Sequence, residues 1–232
     1  MRSKILAVQT IGHLRLLALR DQIRELVEHD NTALSITAAG ALVDIDPDLG
    51  IAAIVPMINR RRDWPVTRVS QVLRHAGSTR ASEPMYRAIR SEDNAGKTYL
   101  LQFARLIEAE ILDALVGDML RESNDAGVLN AALKLVSGFA GVPRIAALAR
   151  HDVWYVRMQA ATVLGRVGQK EHLSLLESLL DDQEWWVRYR AAQSITLLPF
   201  LGPNQLRNLQ SRQSDQYARD ILQQTFAEAG LA

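Results

Sequence analysis

Apolar residues recur along this chain at spacings of three and four, the period of a helix with one buried face. No stretch shows the strict alternation that a half-buried strand would need. The clearest segment carries Val156, Ala160, Val163, Leu164 and Val167 on one face. Thirty-one residues later the pattern returns: Val156 aligns with Val187, Arg157 with Arg188, Ala160 with Ala191, Ala161 with Ala192 and Val163 with Ser194. A further step of 31 reaches residues 217–230, with Arg219 under Arg188. Going backward the pattern weakens through residues 128–141, 97–107, 63–77 and 31–45.

Each segment reads as the first helix of a pair. An acidic or turn residue opens it, and a glycine turn is expected to end it at Gly77, Gly141, Gly168 and Gly202. A second amphipathic helix follows, as at 143–152 and 172–182, and Pro47, Pro84, Pro143 and Pro203 all fall near the expected start of such a helix. Proline is tolerated there because the N–H groups of a first turn have no intrahelical partner. A pair of about 30 residues cannot bury its own apolar stripe, so it must stack on a neighbour. The expected fold is all-α, an α-α superhelix (solenoid) of about six to seven helical hairpins, with units near 31–62, 63–93, 94–124, 125–151, 152–183, 184–214 and 215–232. Residues 1–30 carry no repeat signal and are expected to cap the first hairpin, because a bare solenoid end exposes its core.

The string Val-Arg-x-x-Ala-Ala-x-x-Ile at Val187, Arg188, Ala191, Ala192 and Ile195, between an acidic turn and a glycine turn, resembles the HEAT-repeat family, particularly its short bacterial form. At Val156, Arg157, Ala160, Ala161 and Leu164 the string is one residue out of step. The resemblance is strong over about residues 125–230, weak over 31–124 and absent before that. It implies a scaffold presenting extended surfaces to proteins or, less often, nucleic acids, with no cofactor. It also implies that Arg157 and Arg188 pair with turn acids, for which Asp152, Asp181 and Asp182 are the candidates.

Two features compete as binding surfaces. Aromatic residues stand where first helices begin: Trp64, Tyr99, Trp154 with Tyr155, Trp185 with Trp186, and Tyr217. Either each ring staples its own hairpin, or Trp154, Trp185 and Trp186 form part of an exposed ridge, since Trp and Tyr are favoured interface anchors. Adjacent turn residues such as Trp185 and Trp186 cannot easily both face inward. The second feature is charge. Lys plus Arg is 27 against 26 for Asp plus Glu, so there is no global attraction to nucleic acid or anionic lipid. Locally, however, residues 59–91 concentrate Arg60, Arg61, Arg62, Arg68, Arg74, Arg80, Arg87 and Arg90, and residues 92–125 reverse the sign. Arg60, Arg61, Arg62, Arg87 and Arg90 are a candidate patch for an acidic partner, unless neighbouring hairpins neutralise one another.

Catalytic signals are missing. There is no cysteine, which removes disulfides, thiolate metal sites and a Cys nucleophile. His13, His29, His75, His151 and His172 show no metal-ligand spacing, so no metal site is expected. HEAT-like repeats also build bacterial alkylpurine DNA glycosylases, which carry a catalytic Asp shortly after a Trp-Trp pair. Here Trp186 is followed by Val187, Arg188, Tyr189 and Arg190, so that resemblance lacks its carboxylate and a nucleic-acid role is disfavoured. HEAT repeats occur in phycobilin lyases as well, but no pigment-holding residue distinguishes this chain. The expectation is a non-enzymatic, cytoplasmic protein-interaction scaffold. Attachment to the inner membrane is expected only if a hydrophobic segment precedes Met1 in the natural protein.

Overall fold

The protein is described from a computed structural model that covers residues 1–137, 142–167 and 169–230. Among these residues there are fifteen α-helices and no strand. They are α1 Arg2–His13, α2 Arg20–Leu26, α3 Thr32–Ile45, α4 Pro47–Ile58, α5 Val66–Ala76, α6 Ser78–Ser91, α7 Asn94–Leu101, α8 Ala109–Glu122, α9 Ala126–Leu135, α10 Val142–Leu148, α11 Trp154–Val167, α12 Leu173–Ser178, α13 Trp185–Thr196, α14 Pro203–Arg212 and α15 Gln216–Glu228. The chain is an all-α repeat protein divided into two compact units, Met1–Leu115 and Val116–Ala232.

In the C-terminal unit the first helices stack in sequence order, α9 on α11, α11 on α13 and α13 on α15, while α10, α12 and α14 pack on α11, α13 and α15. The residues that align at intervals of 31 are the ones that vanish from solvent: Val156, Ala160, Ala161 and Leu164 in α11, and Val187, Ala191, Ala192 and Ile195 in α13. Small side chains set the distance between helices. A Cβ added to Gly165 would lie 2.5 Å from the Cβ of Ser194, so α11 and α13 meet almost backbone to backbone there.

The N-terminal unit repeats the scheme. Helix α3 packs on α1 and α5, and α4 packs on α6. Residues 1–30 form a helix pair whose two members both lie against α3, with Gly12 meeting Ala41 closely enough that an added Cβ would sit 2.7 Å away. No helix among the described residues is long and apolar enough to cross a membrane.

Polar residues decide where helices begin. The side chains of Asn31, Asp46, Asp93, Asp125 and Asp215 each accept the backbone N–H three residues on, which satisfies a donor the helix itself cannot. Pro47 and Pro203 occupy first-turn positions as expected. Pro84 does not: α6 already starts at Ser78, so Pro84 lies inside the helix, where its ring removes one backbone hydrogen bond. Gly77 ends α5 with φ +95°, a conformation that side chains disfavour. Gly202 instead opens α14, and Gly141 and Gly168 lie outside the described residues. The helix expected over 172–182 is broken, with 3-10 turns at Lys170–His172 and Leu179–Asp181 flanking the short α12.

Gly165→Ala should lower unfolding stability in urea by about 1–3 kcal/mol, because neither helix backbone can retreat without opening the core. Gly117→Ala provides the contrast: its added Cβ would meet only the guanidinium tip of Arg121, at 3.8 Å. It should hold stability or raise it by up to about 1 kcal/mol.

Candidate functional site

The turns that lead into the first helices of the C-terminal unit share one construction. Arg157 sends Nη1 back to the carbonyls of His151 (2.8 Å) and Asp152 (2.9 Å). Arg188 does the same to Asp182 (2.6 Å) and Gln183 (3.3 Å), and Arg219 to Gln213 (2.7 Å) and Ser214 (3.0 Å). Each arginine therefore reaches the carbonyls six and five residues before it, groups that no helix satisfies. The other side of the Arg157 guanidinium closes a fork on Asp182, with Nε and Nη2 each 2.7 Å from a carboxylate oxygen. Asp182 thus joins two hairpins, its carboxylate to Arg157 and its carbonyl to Arg188. Of the candidate partners, Asp152 contributes a carbonyl and Asp182 the carboxylate.

Burial alone would push the Asp182 carboxyl up. The Arg157 hydrogen bonds, the backbone N–H of Glu184 and the charges of Arg157 and Arg188 outweigh it, and hold Asp182 below the usual carboxylate range. One repeat later the fork is missing. Position 213, 31 residues after Asp182, is Gln213, and the Nε of Arg188 is buried without a hydrogen-bond partner.

The N-terminal unit solves the same problem with different residues. His29 stands in its turn as His151 does in the other, each accepting a backbone N–H on Nδ1 at 3.0 Å, from Asn31 and Val153 respectively. Six residues after His29 the repeat has Ser35 where Arg157 follows His151. The missing guanidinium comes from Arg61 in the following turn, which bonds the carbonyl of His29 (2.9 Å) and the hydroxyl of Ser35 (3.0 Å). Arg61 is itself forked to Asp63 at 2.9 Å twice, and hydrogen bonds from Arg61 and Thr32 hold that carboxyl far below its ordinary range. Trp64 is buried to 1% exposure beside it, its indole N–H donating to Ser35 at 3.1 Å.

The other four arginines of the candidate patch fall in two places, Arg60 and Arg62 in the turn after α4 and Arg87 and Arg90 in the later turns of α6. Arg60 is exposed. Arg62 bonds Asn59 and covers the Tyr99 ring at 5.0 Å. Arg87 pairs with Glu83 at 2.6 Å, and Arg90 lies 5.8 Å over the Tyr86 ring. A 440 Å³ cleft in the same unit, lined by Gln9, His13, Thr37, Asp44, Arg68 and Gln71 among others, mixes both signs of charge and favours neither.

In the C-terminal unit the tryptophans that open first helices, and Tyr217, are exposed instead, with Tyr155 half-buried. Trp154 is 37% exposed, Trp185 43%, Trp186 51% and Tyr217 72%. The Trp185–Trp186 pair is held rather than loose. Trp185 stacks on Tyr189 at 5.0 Å with planes 9° apart and meets Trp186 edge-on at 4.7 Å. The Tyr189 hydroxyl donates to Glu228 of α15 (2.8 Å) and accepts from Gln193 (2.8 Å). Trp185 and Trp186 open α13, and the stacking of α11, α13 and α15 places Trp154 and Tyr217 at the corresponding ends of the flanking helices.

A family model described as HEAT repeats matches residues 109–196 and 141–224, which together span half of the 232 residues. The chain belongs to the HEAT-repeat family. No curated protein matches it. Among solved structures it is similar to the crystal structure of an engineered protein at 13% identity and a TM-score of 0.48, covering 91% of this chain and 96% of that one.

Two outcomes test the turn geometry. The Asp182 carboxyl titrates lower when folded than when unfolded, so its fork stabilises the fold above the ordinary carboxylate range and is lost as pH falls through the folded value. Asp182→Asn should therefore be less stable at neutral pH, and its stability should decline less steeply below about pH 4. Gln213→Asp should do the opposite at neutral pH: a carboxylate opposite the buried Nε of Arg188 should raise stability by about 1–2 kcal/mol in chemical denaturation.

Proposed function

We propose that this protein is a non-enzymatic interaction scaffold that engages a protein partner along the aromatic edge of its C-terminal unit, around Trp154, Trp185, Trp186 and Tyr217. HEAT repeats generally serve as binding scaffolds and are typically not catalytic. The observation that carries the choice of surface is the contrast between the two units. Trp64 is buried and its neighbour Arg61 is committed to a turn carbonyl, a hydroxyl and Asp63, whereas the tryptophans that open α11 and α13 stand in solvent on an anchored framework. Exposed aromatic rings held in one orientation lose little entropy on binding, which is what interface anchors require.

A glycosylase-like reading has no support at the tryptophan pair. The residue two positions after Trp186 is Arg188, whose guanidinium is turned onto the carbonyls of its own turn, and no carboxylate follows before α13 ends. Arg60, Arg62, Arg87 and Arg90 remain a separate candidate surface for an acidic partner.

The two surfaces are separated by comparing partners captured by the wild type, by Trp185→Ala/Trp186→Ala, and by Arg60→Glu/Arg62→Glu. The tryptophan variant should lose the partner that wild type retains, with stability within about 1 kcal/mol because both rings are exposed. The arginine variant should keep it. Retention by a folded tryptophan variant would overturn the reading.

A further inference from the structure

Each turn of the aromatic edge pairs a ring with an acid. Asp152 precedes Trp154, Glu184 precedes Trp185 and Trp186, and Asp215 precedes Tyr217. The repeat arginines of the same turns are turned inward, and another turn cation, Arg150, is exposed ahead of Asp152 and does not line the cleft between the turns before α13 and α15. Arg157, Arg188 and Arg219 direct their guanidinium groups into backbone carbonyls, and Arg157 is forked to Asp182 as well. Asp181 and Glu184 are exposed and have no ion pair among the described residues. In the turns before α13 and α15 the repeat arginines thus face inward, while Asp181 and Glu184 face outward, next to aromatic rings.

The turns before α13 and α15 enclose a cleft of about 340 Å³ lined by Asp181, Asp182, Arg188, Ser214, Asp215 and Tyr217, among others. Asp182 is neutralised by Arg157, and Arg188 is offset by one carboxylate. The second of Asp181 and Asp215 then leaves the lining net negative, and Glu184 adds another charge nearby. The Tyr217 ring lines the same cleft, and it is the most exposed aromatic side chain of the edge.

From this juxtaposition we propose that the cleft receives an arginine side chain of a basic segment in the partner protein, with Asp181 and Asp215 pairing its guanidinium and Tyr217 stacking on it. The proposal rests on the reading of the aromatic edge as the docking surface and specifies what docks there. A guanidinium suits the site in three ways. It is planar enough to lie on the phenol ring, it donates in a fork to carboxylates, and its charge offsets the excess of the lining. An acidic segment, a phosphorylated segment or a nucleic-acid backbone would meet Asp181, Glu184 and Asp215 as like charges, which costs affinity.

Fluorescence anisotropy with labelled nona-arginine and nona-glutamate peptides, titrated with the full chain at 50 and 300 mM NaCl, tests the inference. Nona-arginine should bind the wild type, more weakly at the higher salt, and nona-glutamate should not. Asp181→Asn/Asp215→Asn should weaken nona-arginine binding by about tenfold, as expected for two lost charge contacts. Asn at 215 still supplies an oxygen to cap α15. Tyr217→Ala should weaken binding by several-fold, while Glu110→Gln, an exposed acid outside the cleft, should leave it unchanged. Equal binding by the wild type and the double Asn variant, or preference for nona-glutamate, overturns the proposal. The partner capture separates this failure from failure of the surface itself. If Trp185→Ala/Trp186→Ala loses the partner while Asp181→Asn/Asp215→Asn keeps it, the edge stands and the arginine pocket falls. If both keep it, both fall.

Discussion

The turn between one hairpin and the next must leave several backbone carbonyls with no helical partner, and an arginine satisfies them. Arg157, Arg188 and Arg219 each fold back onto the fifth and sixth preceding carbonyls, fixing the angle at which a new first helix leaves its turn. With that angle fixed, Val156 and Val187 enter the core one residue before the arginine, and the alanine pairs follow at the next helical turn. The close approach of α11 and α13 at Gly165 and Ser194 is possible only when the helices start in register. The contribution of each bond is modest, but an unpaired buried carbonyl costs about 1–3 kcal/mol, so the construction is enforced by what its loss leaves exposed.

The same constraint shapes the surface. Because the repeat arginines are consumed in the turns, they do not cancel the outward-facing acids Asp181 and Glu184, which have no ion pair among the described residues. Just ahead of the buried valines, Trp154 and the pair Trp185 and Trp186 sit where a helix begins and the stack leaves them exposed. A scaffold that locks its turns with inward cations therefore presents an edge of carboxylates and rings. The N-terminal unit shows the alternative. There the lock is Arg61 with Asp63, the nearby tryptophan is buried, and the exposed charge over residues 59–91 is mostly arginine.

Much of this was legible in the sequence. The 31-residue offset placed Val156 on Val187 and Ala160 on Ala191, and those residues are the buried ones, because core positions in a stacked repeat obey one spacing. The pairing of Arg157 was expected from the acids in its turns, and Asp182 proved to be the carboxylate. What the sequence hid lies where chemistry was conserved but position was not. Ser35 interrupts the Val-Arg pattern, and the compensating guanidinium arrives from Arg61, 26 residues away. The signal that could have revealed it was the missing arginine itself, since an unfilled turn needs a donor from elsewhere. Pro84 misled for a related reason: proline marks the start of a helix often enough to suggest one, yet α6 tolerates it internally. The burial of Trp64 beside the exposure of Trp154 depends on whether a hydroxyl such as that of Ser35 waits to accept the indole N–H, which spacing alone does not reveal.

The central claim is that the repeat arginines face inward and are held by the chain itself. Nitrogen-15 NMR of the arginine side chains measures this directly. Arg157, bonded through Nε, Nη1 and Nη2, should show separate, slowly exchanging Nη resonances and a protected Nε–H in the free protein. A single averaged Nη signal for Arg157, with solvent-rate exchange at Nε, would mean that its guanidinium is free at the surface, and would contradict the account.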